Sequence, residues 1–332
     1  MPAPLQPNNI FQRPTFMKGM NYAGFQTNVF SSPESDQAIA DLAGIQANWV
    51  AVNVFWYQKD KHDTQIHANA QKTASDASVM HLIRQIRSNG MKVMLKPMVD
   101  SLDETWRGQF EPRNLESWFS SYESFILHYA RMAQELGVEL FCIGCEYPLH
   151  FDFATQHWQE IIKKVREDYA GPLTYAANFN KSNSYRKVKF WDLLEFIGID
   201  AYFPVARKKA SSVKRMQRGW KKCRRRIEKW RRRKGIDKPV IFTELGVSSV
   251  TGGAIKLWAY DSKLKSEWKE QANYYESFFH TFQNREWFSG AFWWWWDNPS
   301  TGDFIHDQNS KYKVSYSPKG KDAQAILEAY YA

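Results

Sequence analysis

Two short apolar runs decide the fold: LFCIGCE at residues 140–146 and VIFTE at residues 240–244. Continuous apolar runs of this length are typical of parallel strands that are buried on both faces. Each run ends in a glutamate, and an unpaired buried carboxylate is unfavourable unless it has a partner or a chemical role. The two runs therefore predict buried strands that carry functional carboxylates at their ends.

The same strand-like pattern occurs eight times along the chain, each time followed by a helix-like pattern. The predicted strands cover residues 16–23, 49–57, 92–99, 140–147, 173–179, 195–203, 240–247 and 290–296. The predicted helices cover residues 33–46, 76–88, 114–136, 154–169, 190–194, 211–234, 266–284 and 318–331. Such alternation with right-handed crossovers closes into a barrel at eight units.

The length of 332 residues exceeds the roughly 250 that an eight-fold barrel needs. A doubly wound open sheet is the alternative, but the sequence lacks the Gly-rich phosphate turn that usually follows an early strand of that fold. We therefore predict a single (β/α)8 barrel domain over residues 1–332, with residues 1–15 as an N-terminal extension.

The polar residues at the predicted strand ends point to the chemistry, because the active sites of such barrels lie at that end. Strands four and seven face each other across the barrel, so Glu146 and Glu244 can converge. Two carboxyl groups about 5–5.5 Å apart suit a retaining glycosidase, in which one acts as acid/base and the other as nucleophile. The alternative is two unrelated, salt-bridged glutamates.

The two glutamate strands resemble the catalytic strands of clan A glycoside hydrolases, and the whole chain is most similar to glycoside hydrolase family 113, the β-mannanases. Supporting segments are SPESD at residues 32–36, NWV at 48–50, WYQ at 56–58, MLKP at 94–97, LTYAAN at 173–178, IGIDAY at 197–202, FWW at 292–294 and YSPKGK at 316–321. The resemblance implies a retaining hydrolase of β-1,4-mannosidic bonds, with Glu146 as acid/base, Glu244 as nucleophile and no metal or cofactor.

Other functions stay open beside this one. Another β-linked glycan, such as a β-glucan, or an exo-acting β-mannosidase reaction fits the same residues. A barrel that binds sugar without cleaving it is the alternative of another class. Two departures bear on these choices: Cys145 stands where many clan A enzymes have Asn, and Met98 stands where many relatives have His.

Several strand-end residues are predicted to bind substrate or to support the carboxylates. Tyr202 could donate a hydrogen bond to Glu244, and Asn178 could supply the sugar contact that Cys145 cannot make. The alternative for Tyr202 is a packed core aromatic. The remaining predicted substrate-binding residues are Asn21, Trp56, Lys96, Asp100, Trp294 and Trp296. Lys96 and Asp100 could instead form a mutual ion pair.

Aromatic residues make up 16% of the chain, including 15 Trp. Such a composition fits a carbohydrate cleft, because aromatic faces stack on sugar rings, but it also fits an aromatic-packed core. Within the Trp run, alternation of side chains along a strand places Trp294 and Trp296 on one side, and we expect that side to face the cleft. The Trp106-Arg107-Gly108 segment could wall the cleft or cap the barrel.

The three cysteines, Cys142, Cys145 and Cys223, are too few for a disulfide framework. Cys142 and Cys145 form a C-x-x-C within a predicted strand, with no second pair to complete a zinc site. We therefore expect them to be structural. The polar, Pro-rich start at residues 1–9 lacks the pattern of a signal peptide, which predicts a cytoplasmic protein unless a leader has been removed.

The positive charge is concentrated in one segment. The net charge of the chain is +10, yet residues 207–238 hold 17 Lys and Arg against two acids. Trp220, Ile227 and Trp230 recur there at helical spacing, so we predict a helix docked by its apolar face with the charges in solvent. Nucleic-acid binding is the alternative for this helix. For the protein we expect an oligo- or polysaccharide partner, a monomeric state, and no nucleic-acid or membrane partner.

Overall fold

A computed structural model describes residues 15–148, 154–180, 184–257, 265–298 and 314–332. In these ranges eight parallel strands form a closed barrel in sequence order. The strands are β1 (Met17–Ala23), β2 (Trp49–Gln58), β3 (Lys92–Ser101), β4 (Leu140–Cys145), β5 (Leu173–Asn178), β6 (Ile197–Asp200), β7 (Val240–Leu245) and β8 (Phe288–Trp293). The helices are α1 (Pro33–Gly44), α2 (Asp76–Ser88), α3 (Leu115–Glu135), α4 (Ala154–Asp168), α5 (Val213–Lys234), α6 (Trp268–Phe282) and α7 (Asp322–Tyr331). The prediction of a (β/α)8 barrel is confirmed.

The predicted elements differ from the observed ones mainly at two strands and one helix. β6 covers only four residues, shorter than predicted, because the chain leaves the sheet after Asp200. β8 begins and ends earlier than predicted, so Trp294 and the residues after it follow the strand. Between β5 and β6 the predicted helix is a single 3-10 turn, Trp191–Leu193. Of the predicted N-terminal extension, residues 1–14 lie outside the described residues.

The start of α1 follows the predicted capping chemistry. The Ser32 hydroxyl accepts a hydrogen bond from the Ser35 backbone N–H, and Pro33 occupies the first turn. Pro is tolerated there because its missing N–H has no partner within the helix. The same arrangement begins α2, where the Ser75 hydroxyl caps the Ser78 N–H. These caps satisfy backbone N–H groups that the first turn of each helix leaves without a partner, and so they fix where α1 and α2 begin.

The core is divided between the barrel interior and the layer between strands and helices. The interior cluster includes Phe55, Met94, Met98 and Phe292. The outer layer is rich in aromatic rings, and eight of the 15 tryptophans are buried in the described residues. The aromatic excess is therefore largely used in packing.

Gly290 allows the barrel to close between β8 and β1. Its φ is +148°, and a Cβ at this position would lie 2.3 Å from the Cβ of Met17 and 2.5 Å from the Met17 carbonyl oxygen. Only glycine combines this backbone conformation with so close an approach. Met17 and Gly290 are register partners, so the contact lies on the seam between the first and last strands.

The basic helix α5 docks on the barrel as predicted. Met216, Trp220, Cys223, Ile227 and Trp230 are its buried residues. The Trp220 ring stacks on Phe242 of β7 at 6.2 Å and contacts Tyr274 of α6 at 5.3 Å. In the described part of the chain, no helix has both the length and the apolar character needed to cross a bilayer.

We predict that Trp220→Ala lowers the free energy of unfolding by about 3–5 kcal/mol, because it opens a cavity among three elements. Urea unfolding followed by circular dichroism would measure the change. Leu193→Ala, at a side chain that is 38% exposed, is the control and should have little effect. Equal stability of the Trp220 variant and the wild type would contradict the role assigned to this ring.

Candidate active site

Five consecutive strands, β3 to β7, bring one group of polar side chains together. The group consists of Lys96 in β3, Glu146 directly after β4, Asn178 at the end of β5, Asp200 at the end of β6 and Glu244 in β7. All five side chains are almost fully buried. Buried charges are stable only when they are paired, so their contacts define the site.

Lys96 links two of the carboxylates. Its Nζ donates to Oε1 of Glu244 and lies 3.6 Å from Oδ1 of Asp200. The second oxygen of Glu244, Oε2, accepts a hydrogen bond of 2.9 Å from the Tyr202 hydroxyl. The predicted contact of Tyr202 with Glu244 is thus confirmed. Both oxygens of Glu244 are held, which fixes the orientation of this carboxylate.

Asp200 is enclosed by donors as well. Its Oδ1 accepts from the Thr243 hydroxyl at 2.7 Å, and its Oδ2 accepts from the Cys145 thiol at 3.4 Å. Burial and the nearby Glu244 raise the pKa of Asp200 well above its usual range, while Lys96 opposes the shift. Burial lowers the pKa of Lys96, but Asp200, Cys145 and Glu244 outweigh it and raise that pKa. Lys96 therefore stays protonated.

Ligand atoms of Cys145, Asp200 and Glu244 lie within 4.8 Å of one another, as metal ligands would. The Lys96 ammonium already contacts Glu244 and lies beside Asp200, so it supplies the positive charge at this point.

Cys142 and Cys145 are free and buried, in line with the structural role expected of them. Burial raises the pKa of the Cys142 thiol to about 11 and also raises that of Cys145 well above its usual range.

Glu146 has a different environment from Glu244. Its φ is +57°, a left-handed conformation that is rare for residues other than glycine and that clusters at functional sites. Its Oε2 accepts a hydrogen bond of 2.9 Å from Nε1 of Trp106 and lies 4.0 Å from Nη1 of Arg107. Its Oε1 accepts from the side-chain amide of Asn178.

The surroundings of Glu146 raise its pKa above the usual value of a glutamic acid. Burial is the largest cause that raises its pKa, and the charge of Glu244 is the second. Arg107 and the Trp106 hydrogen bond lower the pKa but do not cancel the rise. A buried carboxyl of raised pKa beside an ion-paired carboxylate is the arrangement by which one site provides both an acid and an anion.

Three predicted substrate-binding residues have other partners. Lys96 and Asp100 do not pair with each other: Lys96 contacts Glu244, and Asp100 accepts a 2.5 Å hydrogen bond from Arg107. Lys96 is fully buried, so it acts beneath the site. The Asn21 amide donates to the carbonyl oxygens of Thr243 and Phe292 at 3.1 and 3.0 Å. Asn21 therefore joins β1 to β7 and β8 below the site.

Two of the three tryptophans predicted to bind substrate, Trp56 and Trp296, lie elsewhere in the structure. Trp56 faces α3, where its Nε1 donates to the Tyr129 hydroxyl at 3.0 Å, because even-numbered residues of β2 point out of the barrel. Trp296 is only 1% exposed and packs in the outer layer. The alternation rule did not hold for it, because β8 ends at Trp293. Trp294 remains half-buried and packs against the interior cluster.

Three residues of the site were not predicted from the sequence to contact the carboxylates or Lys96. Trp106 and Arg107 lie in the loop after β3, where no periodicity predicts contact with Glu146. Asp200 had a visible signal, since it is a carboxylate that ends an apolar strand. Asn178 lies beside Glu146 and donates a hydrogen bond to it, while its predicted contact with a sugar hydroxyl stays a prediction.

A closed (β/α)8 barrel with a buried glutamic acid of raised pKa and an ion-paired glutamate at its strand ends has the features of a glycoside hydrolase. Comparison with family models extends this assignment: the model of Glycoside Hydrolase Family 113 matches residues 20–321. The chain belongs to this family, and it is a glycoside hydrolase. A comparison with curated proteins gives no match.

Solved structures agree with the family assignment. A GH113 β-1,4-mannanase in a complex is 27% identical, with a TM-score of 0.82 over 96% of this chain and 99% of its own. The GH113 β-mannanase AaManA from Alicyclobacillus acidocaldarius, in complex with ManMIm, is also 27% identical with a TM-score of 0.82, over 96% of this chain and 97% of its own. A β-glucuronidase from Ruminococcus gnavus, 16% identical with a TM-score of 0.63 over 96% of this chain and 50% of its own, shares the fold.

We predict that Lys96→Met lowers the free energy of unfolding at pH 7 by about 3–5 kcal/mol, because it leaves two buried carboxylates without their cation. Burial and Glu244 already raise the pKa of Asp200, so protonation should relieve the repulsion as pH falls. The loss should therefore be smaller at pH 5 than at pH 7. Urea unfolding at both pH values would test this.

The controls for this variant separate the ion pair from packing. Adding Asp200→Asn to Lys96→Met should recover part of the lost stability, because one uncompensated charge is removed. Lys164→Met breaks a surface contact with Glu123 and should change stability far less. A Lys96 variant as stable as the Lys164 variant would show that the buried cation is dispensable.

We predict that Trp106→Phe moves the basic limb of the kcat/KM profile to higher pH. The Trp106 hydrogen bond favours the ionised form of Glu146 and lowers its pKa. Its removal raises that pKa, so the catalytic proton is kept to higher pH. Trp287→Phe, before β8 at the other end of the barrel, is the control. A limb that stays in place or moves to lower pH would contradict the assignment.

Proposed function

We propose that the protein hydrolyses β-1,4-mannosidic bonds in mannan or manno-oligosaccharides, with retention of configuration at the anomeric carbon. The observation that carries this proposal is the pair of carboxyl groups at the ends of β4 and β7. Burial and Glu244 raise the pKa of Glu146, while Lys96 and Tyr202 hold both oxygens of Glu244. Glu146 is therefore suited to donate a proton and Glu244 to attack as an anion.

In the first step, Glu146 donates its proton to the glycosidic oxygen while a carboxylate oxygen of Glu244 bonds to the anomeric carbon. The leaving sugar departs as an alcohol, and a covalent glycosyl–enzyme ester remains. In the second step, the ionised Glu146 takes a proton from water, whose oxygen attacks the anomeric carbon and releases Glu244. Two displacements at one carbon give net retention.

The neighbours of Glu244 support its role as nucleophile. Lys96 stabilises the anion without donating a proton, because its own pKa is raised. Burial first, and then Glu244, raise the pKa of Tyr202, so its hydroxyl remains a donor. When Glu244 becomes a neutral ester, Asp200 still lies 3.6 Å from Lys96 and balances its charge. Lys96 thus has a carboxylate beside it both in the free enzyme and in the glycosyl–enzyme ester.

The choice of mannan as substrate rests on the family and on two relatives. Both are solved GH113 β-mannanases that match nearly the whole of this chain. Cys145 and Met98 depart from the pattern we associate with such enzymes. Asn178 is the amide nearest to the acid/base residue, and we assign it the sugar-hydroxyl contact that Cys145 cannot make.

The test is analysis of products from mannan, cellulose and xylan oligomers. We expect new reducing ends from the mannan oligomers, and a loss of turnover of about 10²–10⁴-fold in Glu146→Gln, which cannot act as an acid. Glu244→Gln should lose at least as much, because the amide is a poor nucleophile. Glu139→Gln is the matched control, since Glu139 lies just before the other end of β4 and binds Arg87.

Proton NMR of the first product then tests retention. The newly formed reducing end should appear first as the β-anomer and convert to the α-anomer only by mutarotation. An initial α-anomer would overturn the double displacement. Absence of new reducing ends from mannan, with binding preserved, would instead make the barrel a sugar-binding protein.

A further inference from the structure

A second concave site lies outside the barrel, between the segment at residues 204–211 and the N-terminal half of α5. This basic groove has a volume of about 480 Å³. Its charged lining residues are Arg207, Lys208, Arg215, Arg218, Lys222 and Arg226, and no carboxylate lines it. It therefore presents six positive charges to a single cavity.

The six cations are available to a ligand. All six residues are exposed. Among the described residues, no carboxylate lies within ion-pair distance of any of their charged groups. The one ion pair within α5 joins Arg224 to Glu228, and neither residue lines the groove. A concentration of unpaired cations in a cavity attracts anions strongly.

The charge in the N-terminal half of α5 is unfavourable for the helix itself. The helix holds 13 Lys and Arg and one acid. Lys214 and Arg215 lie in its first turn, where the helix dipole disfavours cations. Arg218 is followed four residues later by Lys222, and Lys222 by Arg226, and like charges at this spacing cost about 0.2–0.5 kcal/mol each. Folding alone gives no reason for this pattern, whereas an anionic ligand does.

Gly219 shapes the groove. A Cβ at this position would lie 2.3 Å from the Val205 carbonyl oxygen, so any other residue would push the segment away from the helix. Glycine inside a helix costs about 0.5–1 kcal/mol relative to alanine. Here it allows the backbone at Val205 to lie directly on α5 and form one side of the cavity.

The position of the groove indicates which polyanion it would bind. Pro204, its first residue, follows Tyr202 by two positions, and Tyr202 bonds to Glu244. α5 begins at the end of the barrel where the strands end. The groove thus follows the active-site residue Tyr202 directly along the chain, which favours a substrate chain as its polyanion.

Two other kinds of partner fit less well. The apolar face of α5 is buried against the barrel and α6, so it cannot insert into a membrane. The groove is lined by no aromatic ring, so it lacks the stacking surface with which proteins bind single-stranded nucleic acid.

We propose that the basic groove binds anionic substituents, such as phosphate, sulfate or uronate groups, on the glycan that the active site cleaves. This inference rests on the proposed function and specifies its substrate: a mannan that carries negative charge at some distance from the scissile bond. Arg and Lys side chains would bind the anionic oxygens through charge-assisted hydrogen bonds.

The test compares two triple variants with equal loss of charge in one helix. Arg215→Gln/Arg218→Gln/Lys222→Gln removes groove cations, and Arg225→Gln/Arg232→Gln/Arg233→Gln removes exposed cations outside it. Binding of phosphomannan is measured by calorimetry at 150 mM NaCl, with Glu146→Gln added to prevent turnover. We expect the groove triple to weaken binding about tenfold or more, and the control triple less than about threefold.

Activity on neutral manno-oligosaccharides keeps this proposal separate from the proposed function. With Glu146 intact, both triples should cleave them at the wild-type rate, and only the groove triple should show a raised KM for phosphomannan. Failure of the wild type to cleave mannan would overturn the proposed function, while the binding experiment would still report on the groove.

Two results would overturn the proposal itself. Equal loss of phosphomannan binding in both triples would show an effect of overall charge and not of the groove. Tighter binding of double-stranded DNA or phosphatidylglycerol vesicles, lost in the groove triple, would assign the groove to another polyanion. Circular dichroism of both triples checks folding, and removal of like charges should not reduce helix content.

Discussion

The buried contact of Lys96 with Glu244 is the constraint on which the site depends. An ammonium group and two carboxylates lie out of water, so each is stable only while the others stay in place. Lys96 is in β3, Asp200 in β6 and Glu244 in β7, and these strands are brought together only when the barrel closes. Closure of the barrel and assembly of the reacting centre are therefore one event.

This constraint also separates the roles of the two glutamates. Glu244 forms an ion pair with Lys96, which is fully buried. Glu146 instead accepts a hydrogen bond from the Trp106 indole N–H and lies 4.0 Å from Arg107. The stronger electrostatic support goes to the residue that must remain an anion. The repulsion from that anion then helps to keep the proton on Glu146. Burial and the charge of Glu244, and not the lysine, raise the pKa of Glu146, so the two glutamates differ because their surroundings differ.

The sequence predicted features that depend on local pattern and failed where tertiary contacts decide. Apolar runs, caps and Gly signals placed eight strands and most helices within a few residues. Glu146, Glu244 and Tyr202 were found because polar groups that end buried strands need a reason to be there. Trp56 and Trp296 were misplaced, because a ring near a strand end can face either layer. Trp106 reaches Glu146 from a loop whose path no periodicity encodes.

The same reasoning separates the charge of α5 from that of the barrel mouth. At the barrel mouth each of the charged residues described above has a partner, as burial requires. The placement of these charges therefore serves both folding and catalysis. The groove cations on α5 are exposed and have no carboxylate partner among the described residues, and the spacing of Arg218, Lys222 and Arg226 is unfavourable for the helix. Folding does not explain the cations in the N-terminal half of α5, whereas an anionic ligand does. In this hydrolase the segment that carries the active-site residue Tyr202 continues along the chain into the basic groove. Anionic groups on the glycan substrate would therefore be the partners of these cations.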